Sequence, residues 1–261
     1  METLAGLALG SLALRPYVFG FLLVYGLGAV AGWGWRRTAV FTPLAAALAF
    51  LAEFASTRIG IPFGLYHYTG ATRGRELYLA NVPFFDPLSF TFLAWASLGL
   101  SRMLLTRWGW RGGRTGLAVL AGLLMMWLDL VIDPLAVRGE RWFLGRIFYY
   151  PDPGWYFGVP VANFVGWAVL GAVIAGLWLA LEARVGGQPP PWAARVPGRP
   201  YHAPALYYLV LLFNLGLTAW IGEPALFWAG VAAHLPLAAI VVFSVASLSS
   251  SSNRSYAGEP A

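Results

Sequence analysis

The sequence contains no cysteine and no lysine, and only 11% of its 261 residues are charged. Without cysteine the chain cannot form a disulfide, a thiolate nucleophile, an iron–sulfur cluster or a Cys-ligated zinc site. An ordinary soluble domain carries about a quarter charged residues, so this small charged fraction argues against a soluble fold. The three histidines are not spaced as metal ligands. These absences favour a membrane-embedded chain, and we expect no metal site with cysteine or histidine ligands.

Hydrophobic residues are abundant and make up 59% of the chain. They occur in runs of roughly 17 to 25 residues, the length that crosses a bilayer as a helix. The predicted spans are 17–35, 39–57, 87–106, 115–133, 159–181, 204–221 and 224–248, and a shorter apolar run covers 4–14. The sequence therefore predicts an all-α, polytopic transmembrane helix bundle of about seven spans, with a short N-terminal half or interfacial helix. We expect one domain over residues 1–248 and a disordered tail over residues 249–261.

The 17 basic residues are all arginines, and they flank the apolar runs. A nucleic-acid partner is not expected, because it would need a basic stripe on a polar face. Alternating the spans across the bilayer places more arginines on the side that holds the C-terminus. The positive-inside rule then predicts a cell-membrane protein with its N-terminus outside and its C-terminus in the cytoplasm.

Polar residues of four spans converge on one membrane face under this alternation. They are Glu53, Asp86, Asp129, Asp133 and Asn163. An aspartate at a helix centre costs about 2.5 to 3.5 kcal/mol on insertion scales, so such residues need a reason. Asp129 and Asp133 share one side of a helix, about 6 Å apart along its axis. We expect this pair to hold one proton at neutral pH, which would place an acid beside a base.

Structural roles for the same residues stay open from the sequence. Asp86 precedes Pro87 as an N-cap residue does, and Asp133 followed by proline can mark a helix end. Glu53 can form an ion pair with Arg58 or another arginine. His67 lies in a loop rich in glycine and aromatic residues, where it either orients a carboxylate or a water, or makes ordinary interfacial hydrogen bonds.

Aromatic residues make up 16% of the chain and gather near the acidic face. Rings at this level are typical of membrane interface belts. Ring faces also suit a long polyene and stabilise a transient carbocation. The sequence does not separate these two roles. On the second, the residues predicted to contact a substrate are Phe84, Phe85, Trp127, Trp155 and Tyr156.

Several segments together resemble the membrane-bound carotenoid 1',2'-hydratases of the CruF type. The resemblance is carried by EFASTRIGIPFGLYHY (53–68), NVPFFDP (81–87), DLVIDP (129–134), YYPDPGWYFG (149–158) and PVANF (160–164). It covers about residues 40–170. The resemblance implies that the protein adds water across the terminal 1',2' double bond of an acyclic carotenoid, such as lycopene or γ-carotene, without a redox cofactor. The resemblance also implies that the protein contacts membrane lipid and that other enzymes of the carotenoid pathway are its possible partners.

The hydration that this resemblance implies assigns roles to the polar residues. Protonation of the alkene at its less substituted carbon needs a strong, desolvated acid, and Asp129 or Asp133 is the predicted donor. Glu53 or Asp86 is predicted to hold a water and take its proton as it attacks the cation. The residues predicted to orient that water are Tyr66, His67 and Asn163.

Two other functions stay open. Asp129 and Asp133 resemble half of the aspartate-rich motif of a metal-dependent membrane prenyltransferase, in which Asp86 and Glu53 would add magnesium ligands. A second aspartate-rich motif is not present. Alternatively, the acids could form the proton relay of a proton-coupled transporter or belong to a lipid-binding scaffold, although the chain has no internal repeat. Magnesium dependence and proton-coupled flux would distinguish these functions from hydration.

Overall fold

The computed structural model describes residues 3–110 and 113–256, and for residues 246–256 the backbone alone. Most of the described chain folds into helices. They are α1 (Leu4–Leu14), α2 (Pro16–Trp33), α3 (Trp35–Ile59), α4 (Phe85–Arg107), α5 (Gly113–Ala136), α6 (Val161–Val185), α7 (His202–Trp220) and α8 (Pro224–Tyr256). In this part of the chain, seven helices are long and apolar enough to cross a membrane. The predicted all-α polytopic bundle is therefore confirmed, and α1 is the short helix that precedes it.

The largest difference from the predicted spans is at the C-terminus. Helix α8 continues to Tyr256, into the segment 249–261 that was expected to be disordered. Residues 257–261 lie outside the described residues. The disorder of the tail and the single-domain organisation stay predictions.

A single residue, Gly34, joins α2 to α3. Its φ is 87°, a backbone conformation that residues with a side chain rarely adopt. A Cβ atom on Gly34 would also lie 2.3 Å from the carbonyl oxygen of Gln188. This turn reverses the chain, so the start of α2 at Pro16 and the end of α3 at Ile59 lie at the same membrane face.

Helices α5 and α6 approach closely through glycines. A Cβ atom on Gly122 would lie 2.2 Å from the carbonyl oxygen of Ala168, and one on Gly171 would lie 2.9 Å from the Cα of Gly122. Side chains at these positions would push the helices apart. Because the two backbones touch, the last turns of α5 come within hydrogen-bonding distance of the first turn of α6.

Two long loops meet at that same face. The loop after α3 contains strand β1 (His67–Tyr68), which pairs antiparallel with β4 (Phe148–Tyr149) of the loop after α5. A second short pair joins β2 (Tyr78–Leu79) to β3 (Val82–Pro83). The backbone N–H of Thr69 also donates to the carbonyl of Ile147, at 2.8 Å. These contacts fix the two loops to each other over the helix ends.

Candidate functional site

A cavity of about 150 Å³ lies at the face where α3 and α5 end and α4 and α6 begin. Glu53, Asp86, Asp133 and Asn163 line it. Asp129 lies behind them, fully buried, and contacts Asn163. The structure thus brings together the polar residues of four helices that the alternation of spans placed at one face.

Asn163 joins the two aspartates of α5, which we call the aspartate pair. Its side-chain N–H groups donate to Asp129 Oδ2 at 2.6 Å and to Asp133 Oδ2 at 2.7 Å. The backbone N–H of Asp133 donates to Asp129 Oδ1 at 3.3 Å. No ion pair to either aspartate is found within residues 3–110 and 113–245. Helix α5 continues to Ala136, so Asp133 lies inside the helix and does not mark its end.

Glu53 also lacks a cationic partner among the residues whose side chains are described. It is buried, and its Oε2 accepts a hydrogen bond of 2.7 Å from the Tyr68 hydroxyl. Arg58 instead donates to the carbonyl of Phe54 and to Asn81 Oδ1, at 2.9 Å each. The structural alternative in which Arg58 neutralises Glu53 is therefore wrong.

Asp86, the remaining acidic residue of the cavity wall, forms an ion pair with a buried arginine, Arg15. Arg15, only 2% exposed, donates from Nε and Nη2 to the two carboxylate oxygens of Glu76, at 2.6 and 3.0 Å. Its Nη1 forms an ion pair with Asp86 Oδ1. Glu76 also accepts a 2.5 Å hydrogen bond from Thr72. We call Arg15, Glu76 and Asp86 the arginine cluster.

The arginine cluster corrects one structural reading of the sequence and adds two residues to the site. Asp86 lies within the first turn of α4, whose N-cap residue is Phe84, so Asp86 does not cap the helix. Arg15 and Glu76 were not singled out from the sequence. The only signal for Arg15 was a charged residue between two apolar runs, and Glu76 gave none.

Aromatic rings form most of the remaining wall of the cavity. They belong to Tyr17, Phe21, Phe63, Tyr66, Tyr68, Phe90, Phe92, Trp142, Phe148, Tyr150, Trp167 and Phe213. Tyr66 lies at the centre of the loop rings, with its ring centroid 5.5 Å from that of Tyr68 and 5.8 Å from that of Tyr150. Phe90 and Trp167 pack at 4.6 Å on the helix side.

Three of the loop tyrosines stay neutral. Burial raises the pKa of the Tyr66 and Tyr68 phenols well above their usual range, and the nearby Glu53 carboxyl raises it further. Burial and then Asp133 act in the same direction on the pKa of Tyr150. Neutral phenols can donate hydrogen bonds, so these residues suit the positioning of a carboxylate or a water.

His67, predicted to orient water, does not line the cavity. It lies between Tyr66 and Tyr68, which both do, and it pairs with Tyr149 across the strands. Successive side chains of an extended strand point to opposite sides, so two tyrosines that face the cavity place the histidine away from it. Tyr68, whose hydroxyl donates to Glu53, makes the contact with a carboxylate that was predicted for His67.

None of the five aromatic residues predicted to contact a substrate lines the cavity, and their contact with a substrate stays a prediction. These are Phe84, Phe85, Trp127, Trp155 and Tyr156. Trp155 is 83% exposed, and Trp127 donates from Nε1 to the carbonyl of Ala233 in α8. Phe85 packs against Phe19, at a centroid distance of 4.7 Å. Aromatic rings near a membrane face can contact the surroundings, other helices or the cavity. Their position in the sequence did not distinguish the rings that line the cavity from the others.

The arrangement is suited to moving protons at an apolar substrate. Two buried carboxyl groups, Glu53 and Asp129, and the half-buried Asp133 meet neutral phenols and ring faces in a small space, and none of them has an ion-pair partner among the described side chains. Carboxyl groups in such surroundings can donate a proton and take one from a water. In the part of the chain that the structure describes, no group of three or more His, Cys, Asp or Glu side chains is arranged to hold a metal ion.

Comparisons with known proteins agree with this chemistry. The sequence profile of the carotenoid biosynthesis protein family matches residues 13–241. A protein named bisanhydrobacterioruberin hydratase, from Haloarcula japonica, is 33% identical over 185 residues. The aligned region covers 69% of this chain and 57% of that relative, so the chain matches little more than half of the relative's length. No solved structure matches the chain.

Proposed function

The chain belongs to the carotenoid biosynthesis protein family, and we propose that it is a hydratase that adds water to the terminal 1',2' double bond of an acyclic carotenoid end group. The observation that carries this proposal is the convergence of Asp129, Asp133 and Glu53 at an aromatic cavity. Asp129 and Glu53 are buried and Asp133 is half-buried, and none of the three has an ion-pair partner among the described side chains. The hydratase name of the Haloarcula relative supports the same reaction class.

The size of the cavity limits what it holds. A protein cavity of about this volume holds a molecule of the size of benzene. Only the end of a carotenoid fits such a space, and the rest of the polyene must lie outside it, in lipid or between helices. We therefore expect the protein to recognise the terminal isoprene unit of lycopene, γ-carotene or a similar acyclic end.

The aspartate pair is the proton donor in this proposal. Two adjacent carboxyl groups with no cation between them hold one proton more readily than two negative charges. Asp133 lines the cavity and Asp129 lies behind it, so Asp133 presents the proton to the substrate. The proton bonds to the less substituted alkene carbon, and the positive charge forms on the tertiary carbon. The amide of Asn163 holds both carboxyl groups in place.

Glu53 is the base. Asp86 was the other candidate, but its carboxylate is already bound to Arg15 and is therefore the weaker proton acceptor. A water held by Glu53 and oriented by Tyr66 attacks the tertiary cation, which forms the C–O bond as Glu53 takes the released proton. Return of that proton to the aspartate pair restores the starting state. One water is added and no electron is transferred.

The rings around the acids stabilise the cation between these two steps. Phe90 and Trp167 line the same cavity as Asp133 and Asn163. A cation over an aromatic face gains about 0.5 to 2 kcal/mol or more, with the larger values where water is excluded. The water-poor cavity also limits premature reaction of the cation.

The proposed setting follows from the substrate. Carotenoids dissolve in the bilayer, so the protein would take its substrate from membrane lipid, beside other enzymes that act on carotenoids. We place it in the cell membrane, with the N-terminus outside and the C-terminus in the cytoplasm, because more arginines lie on the side of the C-terminus.

Expression in a lycopene-accumulating host tests the proposal. We expect the wild-type chain to yield a product heavier than lycopene by one molecule of water, and Asp133→Asn to yield none. Glu140→Gln is the matched control, because Glu140 is an exposed carboxyl in the loop after α5. A wild-type chain that leaves both lycopene and γ-carotene unchanged, or an Asp133→Asn variant as active as wild type, would contradict the proposal.

A further inference from the structure

A second groove, of about 630 Å³, lies at the membrane face opposite the acidic cavity. It runs between α2, α4 and the beginning of α7, and Trp33 and Trp95 are among the residues that line it. The described residues that line it include three arginines, Arg102, Arg107 and Arg199, and no acidic residue. The groove therefore combines an apolar surface with positive charge.

Glycines give the groove its depth. Gly28 and Gly32 are one helical turn apart on α2, and both line the groove. A Cβ atom on Gly28 would lie 2.8 Å from the ring of Trp95, so that ring forms the floor. A Cβ atom on Gly32 would meet nothing within 4 Å, so the groove is open there. A long, narrow apolar chain can lie along this slot.

The arginines lie at the polar end of the slot. Arg102 and Arg107 are in the last turns of α4, and Arg199 is in the segment that leads into α7. The guanidinium of Arg102 lies 5.7 Å from the centroid of the Trp33 ring, and it donates a hydrogen bond of 2.6 Å to Glu182, which is outside the groove. Trp33 therefore lies at the boundary between the apolar slot and the arginines.

A ligand that satisfies both parts of the groove carries a negative head group on an apolar chain. We propose that the groove binds an acidic phospholipid, with its phosphate at Arg102, Arg107 and Arg199 and one acyl chain along Gly32, Trp33 and Trp95. Basic pockets between transmembrane helices bind acidic lipid head groups. A guanidinium group binds phosphate in a bidentate manner, with two parallel N–H···O hydrogen bonds. The proposal is independent of the hydratase reaction, because the groove shares no lining residue with the acidic cavity.

Lipid titration of the purified full chain tests this site. The chain is held in neutral detergent micelles, and phosphatidylglycerol or phosphatidylcholine of the same acyl composition is added. We expect native mass spectrometry to show one retained phosphatidylglycerol and thermal unfolding to shift upward with that lipid alone. Equal retention of both lipids would overturn the proposal. So would displacement of phosphatidylglycerol by lycopene, because the groove would then hold the far end of a carotenoid.

Variants separate the groove from general lipid contact. Gly32→Leu adds a side chain inside the groove, where a Cβ atom meets nothing within 4 Å, and should abolish retention of phosphatidylglycerol. Gly26→Leu, at a position whose Cβ is equally open but outside the groove, should keep it. Arg199→Gln should weaken binding roughly fivefold, the effect of one arginine near a lipid surface. Arg195→Gln, an exposed arginine outside the groove, should not. Retention by Gly32→Leu equal to wild type, with helicity unchanged, would contradict the site.

Discussion

The aspartate pair and the arginine cluster contribute acids to the same cavity but balance their charge differently. In the arginine cluster, one guanidinium contacts both Glu76 and Asp86. In the aspartate pair, both carboxyl groups accept from the neutral amide of Asn163, and neither has an ion-pair partner among the described side chains. A paired carboxylate stays ionised and holds its neighbours in place, whereas unpaired carboxyl groups in an apolar site exchange a proton easily.

This difference assigns separate tasks to the two groups. The arginine cluster ties the junction of α1 and α2 to the loop after α3 and to the start of α4, and so fixes one wall of the cavity. In the proposed reaction, the aspartate pair and Glu53 carry out the proton transfers. Variants of the arginine cluster should therefore act mainly on stability, and variants of the aspartate pair on catalysis.

The largest effect is expected at the aspartate pair. Asp133→Asn and Asp129→Asn each keep the volume and most hydrogen bonds but remove the shared proton. We expect the rate of lycopene hydration to fall by about 10² to 10⁴, the usual contribution of acid–base catalysis. The measurement is the initial rate in lycopene-containing vesicles, with Glu140→Gln as control. Rates within a factor of two of wild type in both variants would remove the aspartate pair from the mechanism.

The next effect concerns the stability of the arginine cluster. Arg15→Met removes the cation from the buried Glu76 and the half-buried Asp86, and we expect the free energy of unfolding to fall by about 3 to 5 kcal/mol. Arg75→Met is the matched control, because Arg75 is exposed in the same loop region. Denaturant unfolding in micelles gives the difference between the two. An Arg15→Met variant as stable as Arg75→Met would show that the cluster does not hold the fold.

A smaller effect is expected at the contact between the loop after α3 and Glu53. Tyr68→Phe removes the hydrogen bond to Glu53 and leaves the ring in place. A hydrogen bond to a charged or ionisable group contributes about 1.5 to 3 kcal/mol, so we expect a rate lower by roughly 10 to 100-fold, mostly in kcat. His67→Phe is the control, because that side chain lies outside the cavity. Equal losses in both variants would argue for a general loosening of the loop.

The smallest effect is the response of stability to alkali. Burial raises the folded-state pKa of Tyr66, Tyr68 and Tyr150 well above the unfolded value of about 10. The folded chain therefore holds these protons more tightly, so their contribution is fully present below about pH 10 and is lost as the pH rises further. Thermal unfolding from pH 7 to 11 should show no decline from phenol ionisation until about pH 10. In the Tyr66→Phe/Tyr68→Phe variant, the decline above that pH should be shallower.

Much of the site followed from the sequence because charged residues are rare in membrane spans. The count of spans alone placed Glu53, Asp86 and Asp129 at one face, and their helices end or begin there in the structure. The close approach of α5 and α6 was not visible in advance, since the glycines that permit it resemble many others in the chain. The shared amide contact of Asn163 depends on that approach.

The parts that sequence missed depend on long-range geometry. Arg15 and Glu76 are 61 residues apart, and no local pattern marks them as partners. Tyr68 lines the cavity and His67 does not, because neighbouring side chains of this two-residue strand point to opposite sides. The pairing of His67 with Tyr149 sets which side faces the cavity. Aromatic residues were the least informative, because rings such as Trp155 face the surroundings while Trp167 lines the cavity.

The most direct test of the central claim is hydration by the purified protein in heavy water and, separately, in ¹⁸O-labelled water. Protonation by the acids predicts one carbon-bound deuterium next to the new tertiary alcohol, and labelled oxygen in that alcohol, with no added oxidant or reductant. A product with solvent oxygen but no carbon-bound deuterium, or a reaction that needs oxygen gas or an electron donor, would contradict the account.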